Sequence, residues 1–257
     1  MSHERITRHL AFHATPRPLA AMEVDYPDGA STGLHAHPRA QLLHAIQGVM
    51  IVRSAAGIWV VPPNRAVWLV PDIEHEVQMY GDVKIRTVFV DPDASPRLPT
   101  ANCVIAVSPL LRELIVAAVD IPTDYAPGGR DERLMRLLLD ELQARDVLPL
   151  HLPMPGDRRV RTVCEALSTR PGDDATAEQW AIRLGVTPKT LHRLFSKETG
   201  LTFGQWRQQA RLLAALERLA RGERIIEVAL ESGYASQSAF TAMFRRHFGM
   251  PPGLFYR

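Results

Sequence analysis

Residues 177 to 252 carry one local pattern twice: an amphipathic turn of helix, a glycine, a short polar turn, then a second helix. The first copy reads Trp180, Ala181, Leu184, Gly185, Val186, Thr187, Leu191, Phe195, Gly200. The second reads Ala229, Leu230, Gly233, Tyr234, Ser236, Phe240, Phe244, Gly249. Counted from the turn glycine, Ala181 and Ala229 both fall four residues before it. Leu191 and Phe240 fall six and seven after it, and Phe195 and Phe244 ten and eleven after it. A tandem helix-turn-helix confines this part of the chain to a helical fold, and it predicts a grip on a duplex at two places.

The local chemistry supports that pattern. Gly185 can take the left-handed conformation that ends a helix sharply. Thr187 then caps the next helix, and Pro188 fills its first position, where no amide hydrogen is needed. A recognition helix must be fixed on one side and leave a polar face free for the major groove. In the first copy that face holds Lys189, Thr190, His192 and Arg193. In the second, Ser236 is the expected cap and Gln237, Ser238, Thr241 and Ala242 look outward. Arginine can take guanine bidentately and glutamine suits adenine. Arg245, Arg246 and His247 come later and read as phosphate contacts, which position without reading sequence. Residues 202–221 form a predicted helix of about 30 Å, close to the roughly 34 Å turn of B-DNA.

The chain of 257 residues has room for one and a half to two domains. Its net charge of +2 divides unevenly. Residues 157–257 hold 16 Lys and Arg against 10 Asp and Glu, and residues 1–156 hold 14 against 18, giving +6 and −4. A basic tail on an acidic front suits a nucleic-acid reader joined to something that does not touch DNA. No apolar run approaches the ~18 residues of a membrane span, and the start lacks the apolar segment of a secretory signal. Cys103 and Cys164 show neither metal spacing nor a redox motif, as expected of free thiols in a reducing cytoplasm.

Residues 20 to about 98 read as short strands between turns, which argues for a closed or sandwiched antiparallel sheet. Two helices are expected after it, at about 108–119, capped by Ser108, and at about 131–144. Their leucine stripes serve either dimerisation, the favoured reading, or the closure of the sheet's own core. Residues 147–157 read as a linker, part of a proline-rich stretch beginning near 145. Helices are then expected at 158–168, 177–184, 188–198, 202–221, 224–232 and 237–247, with a short last piece at 252–256. The expected domains are 1–146 and 158–257.

The stretches AIRLGVTPKTLHRLFSKETGLTFGQWRQQARL and IIEVALESGYASQSAFTAMFRRHFGMPPGLFYR closely resemble the C-terminal domain of AraC/XylS-type transcriptional regulators. The resemblance covers about the last hundred residues. It implies seven helices with two helix-turn-helix units, binding to double-stranded promoter DNA, and base contacts from Lys189, His192, Arg193, Gln237, Ser238 and Thr241. Ala242 stands where some relatives place a longer polar side chain. The front domain resembles the cupin-type sensor barrel of the same family. Its HAHPRAQLLHAIQG segment matches the first cupin motif with Gln41 in place of a glutamate, and His75 is the further histidine that the second motif would supply. On a strand His35 and His37 share a face, so both can meet a divalent transition metal that His75 approaches from another strand. His44 is out of phase with Gln41. Trp59 and Trp68 line an effector pocket or belong to the core.

The expected architecture is therefore an α+β multidomain chain: a cupin-like antiparallel β-barrel with two following helices, then an all-α tandem helix-turn-helix domain. The expected function is a non-enzymatic transcription factor, a homodimer that senses a small molecule or metal ion and has RNA polymerase among its potential partners. The competing class is a cupin dioxygenase or isomerase using His35, His37 and His75, which leaves the tandem tail idle. A DNA-repair alkyl acceptor needs an activated cysteine, and neither Cys103 nor Cys164 has the neighbourhood for one.

Overall fold

The structure, a computed structural model, describes residues 12–63, 65–143, 147–148, 151–248 and 251–254. Gly249 of the second repeat lies outside these, as do Asn64 of the strand region and residue 144 of the second expected helix. The chain divides into two compact units, one built on residues up to 54 and 61–151, the other on 55–60 and 152–257.

The first unit is an antiparallel sheet with two helices. Its strands are β1 (Leu19–Tyr26), β2 (Ala40–Ser54), β4 (Arg65–Leu69), β5 (His75–Val90), β6 (Cys103–Ala106) and β7 (Val147–Leu148); β3 (Gly57–Val61) falls between β2 and β4 in the chain. They pair in the order β1–β5–β2–β4–β6–β7, and among the described residues no pairing joins β7 back to β1. The ladder is thus cupin-like but open. The strands are also fewer and longer than the turn residues suggested, with β2 and β5 running 15 and 16 residues. Gly81, which looks like a turn residue, lies within β5, and Gly48 lies within β2. Gly48 (φ +77°) sits at a register shift, and a Cβ there would stand 2.7 Å from Asp82 O. The sequence at this point kinks a ladder without ending it.

Strand alternation sends Leu19, Ala21, Ala40, Leu42, Ala66, Trp68, Val88, Val90 and Ile105 to one face. There they meet Leu111, Leu114, Ile115 and Ala118 of α1 (Pro109–Ala118), and Met135, Leu138 and Leu142 of α2 (Arg130–Gln143). Ser108 caps α1 through Leu111 N–H at 3.1 Å. Most of both leucine stripes is therefore spent on the sheet, while Leu110 and Leu137 remain exposed. Trp68 belongs to this core and donates its indole N–H to Pro99 O at 3.0 Å; Trp59 is also buried.

The stretch expected as a linker supplies two short strands. β7 pairs with β6, and β8 (His151–Pro153) pairs with β3. Met154 N–H adds a bond to Ala56 O at 3.3 Å. Proline-rich composition concealed this, because two or three residues suffice for an edge pairing.

The second unit is helical: α3 (Arg158–Thr169), α4 (Ala177–Arg183), α5 (Pro188–Thr199), α6 (Phe203–Ala220), α7 (Ile225–Glu231) and α8 (Gln237–Phe248). The seventh helix implied by the family resemblance is a 3-10 turn over Pro252–Leu254, and residues 255–257 lie outside the described part. Leu191, Leu194, Phe195, Phe203 and Trp206 build the first half of its core; Phe240, Met243 and Phe244 anchor the second. Trp206 also donates its indole N–H to Pro153 O at 2.8 Å. No helix among the described residues is long and apolar enough to cross a membrane.

Candidate nucleic-acid interface and histidine cluster

Both repeats close in the same way. After α4, Val186 N–H donates to Ala181 O and Gly185 N–H to Ile182 O, with Gly185 at φ +65°. After α7, Tyr234 N–H donates to Ala229 O and Gly233 N–H to Leu230 O, with Gly233 at φ +80°. These are the paired bonds of a left-handed C-terminal closure. The next helix starts on a hydroxyl cap each time: Thr187 Oγ1 accepts from Thr190 N–H at 3.2 Å, and Ser236 Oγ from Ala239 N–H at 3.1 Å. Ala181 and Ala229 are fully buried.

That frame fixes what faces outward. On α5, Lys189, His192 and Arg193 are exposed and Thr190 half-buried. On α8, Gln237, Ser238, Ala242, Arg245 and Arg246 are exposed and Thr241 half-buried. The side chain of His247 lies outside the described set. Ser196 and Lys197 extend the exposed face of α5, an extension that helical spacing from Arg193 signals. Charge pairing is selective. Arg218 is held by Glu223 and Glu231, Arg221 by Glu217 and Arg224 by Glu227. Lys189, Arg193, Arg245 and Arg246 form no ion pair among the described residues, so no carboxylate need be displaced before they meet an anion.

One side chain ties the repeats together. Arg211 of α6 donates to Pro171 O at 2.8 Å and Asp173 O at 3.1 Å, in the loop that leads into α4. A Cβ at Gly233 would stand 2.9 Å from its Cζ, so the same guanidinium lies against the turn of the second repeat. A Cβ at Gly172 would meet Glu231 O at 2.8 Å, so loop and turn are in close contact. Sequence reasoning missed this brace, because an arginine forty residues from its partners leaves no local signal.

In the sheet unit the three histidines singled out converge. His35 and His37 do not lie on a regular strand as expected; they precede β2 in an extended segment. His35 pairs with His75, the first residue of β5, through N–H to O bonds of 2.9 and 2.8 Å. One ligand atom from each of His35, His37 and His75 falls within 4.8 Å of the others. Each Nδ1–H donates to a backbone carbonyl: His35 to Gly33 O (2.9 Å), His37 to Arg39 O (2.7 Å) and His75 to Ile73 O (2.9 Å). That sets one tautomer for all three and leaves each Nε2 with its lone pair.

Two of those lone pairs are unmet in an unusual way. Nε2 of His75 is buried without a hydrogen-bond partner. Nε2 of His37 lies 2.9 Å from Gln41 Oε1, so two acceptors face each other when the ring is neutral. Two arrangements resolve this: a Gln41 amide turned to donate, or a cation shared by both atoms. Burial pushes His75 down to about 4 and lowers His37 as well, so both rings are neutral at neutral pH. Imidazoles whose Nδ1–H groups are held by carbonyls, with the Nε2 of His75 buried and unpartnered, fit a transition-metal ion.

His44 is excluded from this group. It shares the parity of Leu42, and its Nδ1–H donates to Arg65 O at 2.9 Å. His13 stands beside the cluster instead, stacked on His37 with ring centroids 5.2 Å apart, and no motif announced it. Its segment is anchored by the buried Arg39, which donates to Thr15 O at 2.8 Å and Arg17 O at 2.9 Å.

A sheet domain with an inward polar cluster, followed in the chain by two matched helix-turn-helix units, defines a ligand-responsive DNA-binding transcriptional regulator. Comparison with known proteins agrees. Residues 19–185 match the AraC-like ligand binding domain, and residues 180–257 a helix-turn-helix domain. The transcriptional regulator NimR of Escherichia coli is 35% identical over 226 residues, 88% of this chain and 82% of NimR. The regulator RipA of Corynebacterium glutamicum is 39% identical over 103 residues, 40% of this chain and 31% of RipA. A structure of ToxT from Vibrio cholerae aligns with 93% of this chain and 98% of its own at 8% identity and a TM-score of 0.39. The chain belongs to the AraC family of transcriptional regulators.

Proposed function

We propose that α5 and α8 enter successive major grooves of a promoter, and that Lys189, His192 and Arg193 supply most of the base reading. The observation that carries this is the pair of identically closed helix starts presenting unpaired cations on α5. Gln237, Ser238 and Thr241 read the second groove by neutral contacts, while Thr190, Arg245 and Arg246 hold phosphate. α6, 18 residues long, spans about 27 Å, the right order for two grooves on one side of a duplex. Operator fragments selected from genomic DNA test the reading. On such a fragment Arg193→Ala is expected to cost about 1–3 kcal/mol and to relax preference at one base pair. An equal loss on random duplex would reduce Arg193 to a phosphate contact.

The sheet unit is proposed as the sensor, with a divalent transition metal held by His35, His37, His75 and Gln41 Oε1. Bound there, the ion would supply a Lewis-acidic anchor for an effector. The buried Nε2 of His75 is what supports this. Purified protein should take up close to one equivalent of Co2+ per chain and His75→Ala should lose it; full uptake by the variant refutes the site. We place the protein in the cytoplasm, as a non-enzymatic homodimer. Leu110 and Leu137 of α1 and α2 are exposed and open to a second copy, and a monomer at micromolar concentration by sedimentation excludes the dimer.

A further inference from the structure

We infer that Gln41 makes the histidine cluster a receptor for an organic carboxylate. The inference rests on the metal reading above and adds the chemical class of the effector.

The argument is one of charge. The donors gathered here are three imidazoles and one amide, and the cluster found among the described residues contains no carboxylate or thiolate. His75, Gln41 and His37 are 0, 4 and 7% exposed. A divalent ion placed among them would keep its whole double charge in a largely dehydrated setting, where an uncompensated charge is costly. A glutamate at position 41 would cancel half of it, but the chain has an amide there. The buried charged side chain of this segment, Arg39, is itself a cation, and its guanidinium has Asp91 at 3.4 Å. Among the described residues no carboxylate joins the cluster, so the balancing negative charge is assigned to a bound ligand.

Access and surroundings narrow the source. His35 is the only partly exposed member of the trio, so it marks the side open to solvent. Leu34 beside it is 64% exposed. Phe89 lies edge-on to His37 at 5.5 Å between centroids, and Phe12 lies 6.2 Å from Phe89. An anion with an apolar body matches both halves of this environment better than a bare inorganic ion does. The consequence is reciprocal: a carboxylate that completes the charge must tighten metal binding by the same factor by which the metal tightens the carboxylate.

The full-length protein loaded with Co2+ tests this, with benzoate as probe and benzamide as its neutral counterpart. Benzoate is expected to shift the visible Co2+ absorption and to raise Co2+ affinity about tenfold; benzamide is expected to do neither. Gln41→Glu is expected to bind Co2+ while losing the benzoate coupling. The wild-type comparison of benzoate with benzamide is decisive even if Gln41→Glu fails to fold. Co2+ binding that benzoate leaves unchanged, or that benzamide alters equally, overturns the carboxylate inference and leaves the metal site standing. Failure to bind Co2+ at all removes both.

Discussion

The two helix-turn-helix units share a frame and differ in what they present. Each has a left-handed glycine, the same pair of closing bonds and a hydroxyl cap. Yet α5 begins with Lys189, His192 and Arg193, and α8 with Gln237, Ser238 and Ala242. The folding determinants are duplicated, whereas the reading determinants are not. A cationic face gains affinity from phosphate and guanine together and is sensitive to salt. The neutral start of α8 adds discrimination with little affinity of its own, and what affinity that helix supplies comes from Arg245 and Arg246 nearer its end. The first unit should therefore dominate binding and the second refine it.

The largest test of that asymmetry removes the brace. Arg211→Ala deletes two charge-assisted bonds, each worth about 1.5–3 kcal/mol, and should lower the melting transition and weaken specific binding far more than random binding. If operators with altered spacing between the two boxes bind the variant no better, relative to the native spacing, than they bind wild type, Arg211 does not set the spacing. A smaller effect separates the two turns. Gly185→Ala meets open space and should cost only the left-handed penalty of roughly 1–2 kcal/mol. Gly233→Ala carries the same penalty and also drives its Cβ to 2.9 Å from Arg211. Chemical denaturation should rank it clearly below Gly185→Ala in stability; equal midpoints would mean the guanidinium moves aside freely. Smallest is Gln237→Ala, expected to cost no more than about 1 kcal/mol at one base pair and to leave the salt dependence unchanged. Arg193→Ala should lower that salt slope, and identical slopes for the two variants would erase the proposed contrast.

Helix limits were legible because their ends are written in short-range chemistry. Thr187–Pro188, Ser236 and the turn glycines place α5 and α8 to within a residue. The sheet was harder. Gly81 looks like a turn but sits at a left-handed position inside β5, opposite the register shift at Gly48. β6 lies past the punctuated stretch that marks the end of the strand-rich region, and β7 and β8 are too short for any period to show. His35 and His37 were legible as a His-x-His pair, and His75 only through the cupin resemblance. Their common tautomer was not, because it depends on carbonyls placed by the fold. His13 and Arg211 were invisible for the same reason: their partners are distant in the chain.

The duplicated closure has one further consequence. Because the turns before α5 and α8 are held by backbone bonds and capping hydroxyls, the outward side chains add little to holding either helix, Thr190 excepted, whose hydroxyl meets that of Thr187 at 2.9 Å. Solvent-facing exchanges of this kind usually change stability by less than about 0.5 kcal/mol. Transplanting the outward residues of one helix onto the other, in both directions, should give a protein that folds normally and recognises its two boxes in reversed order along the promoter.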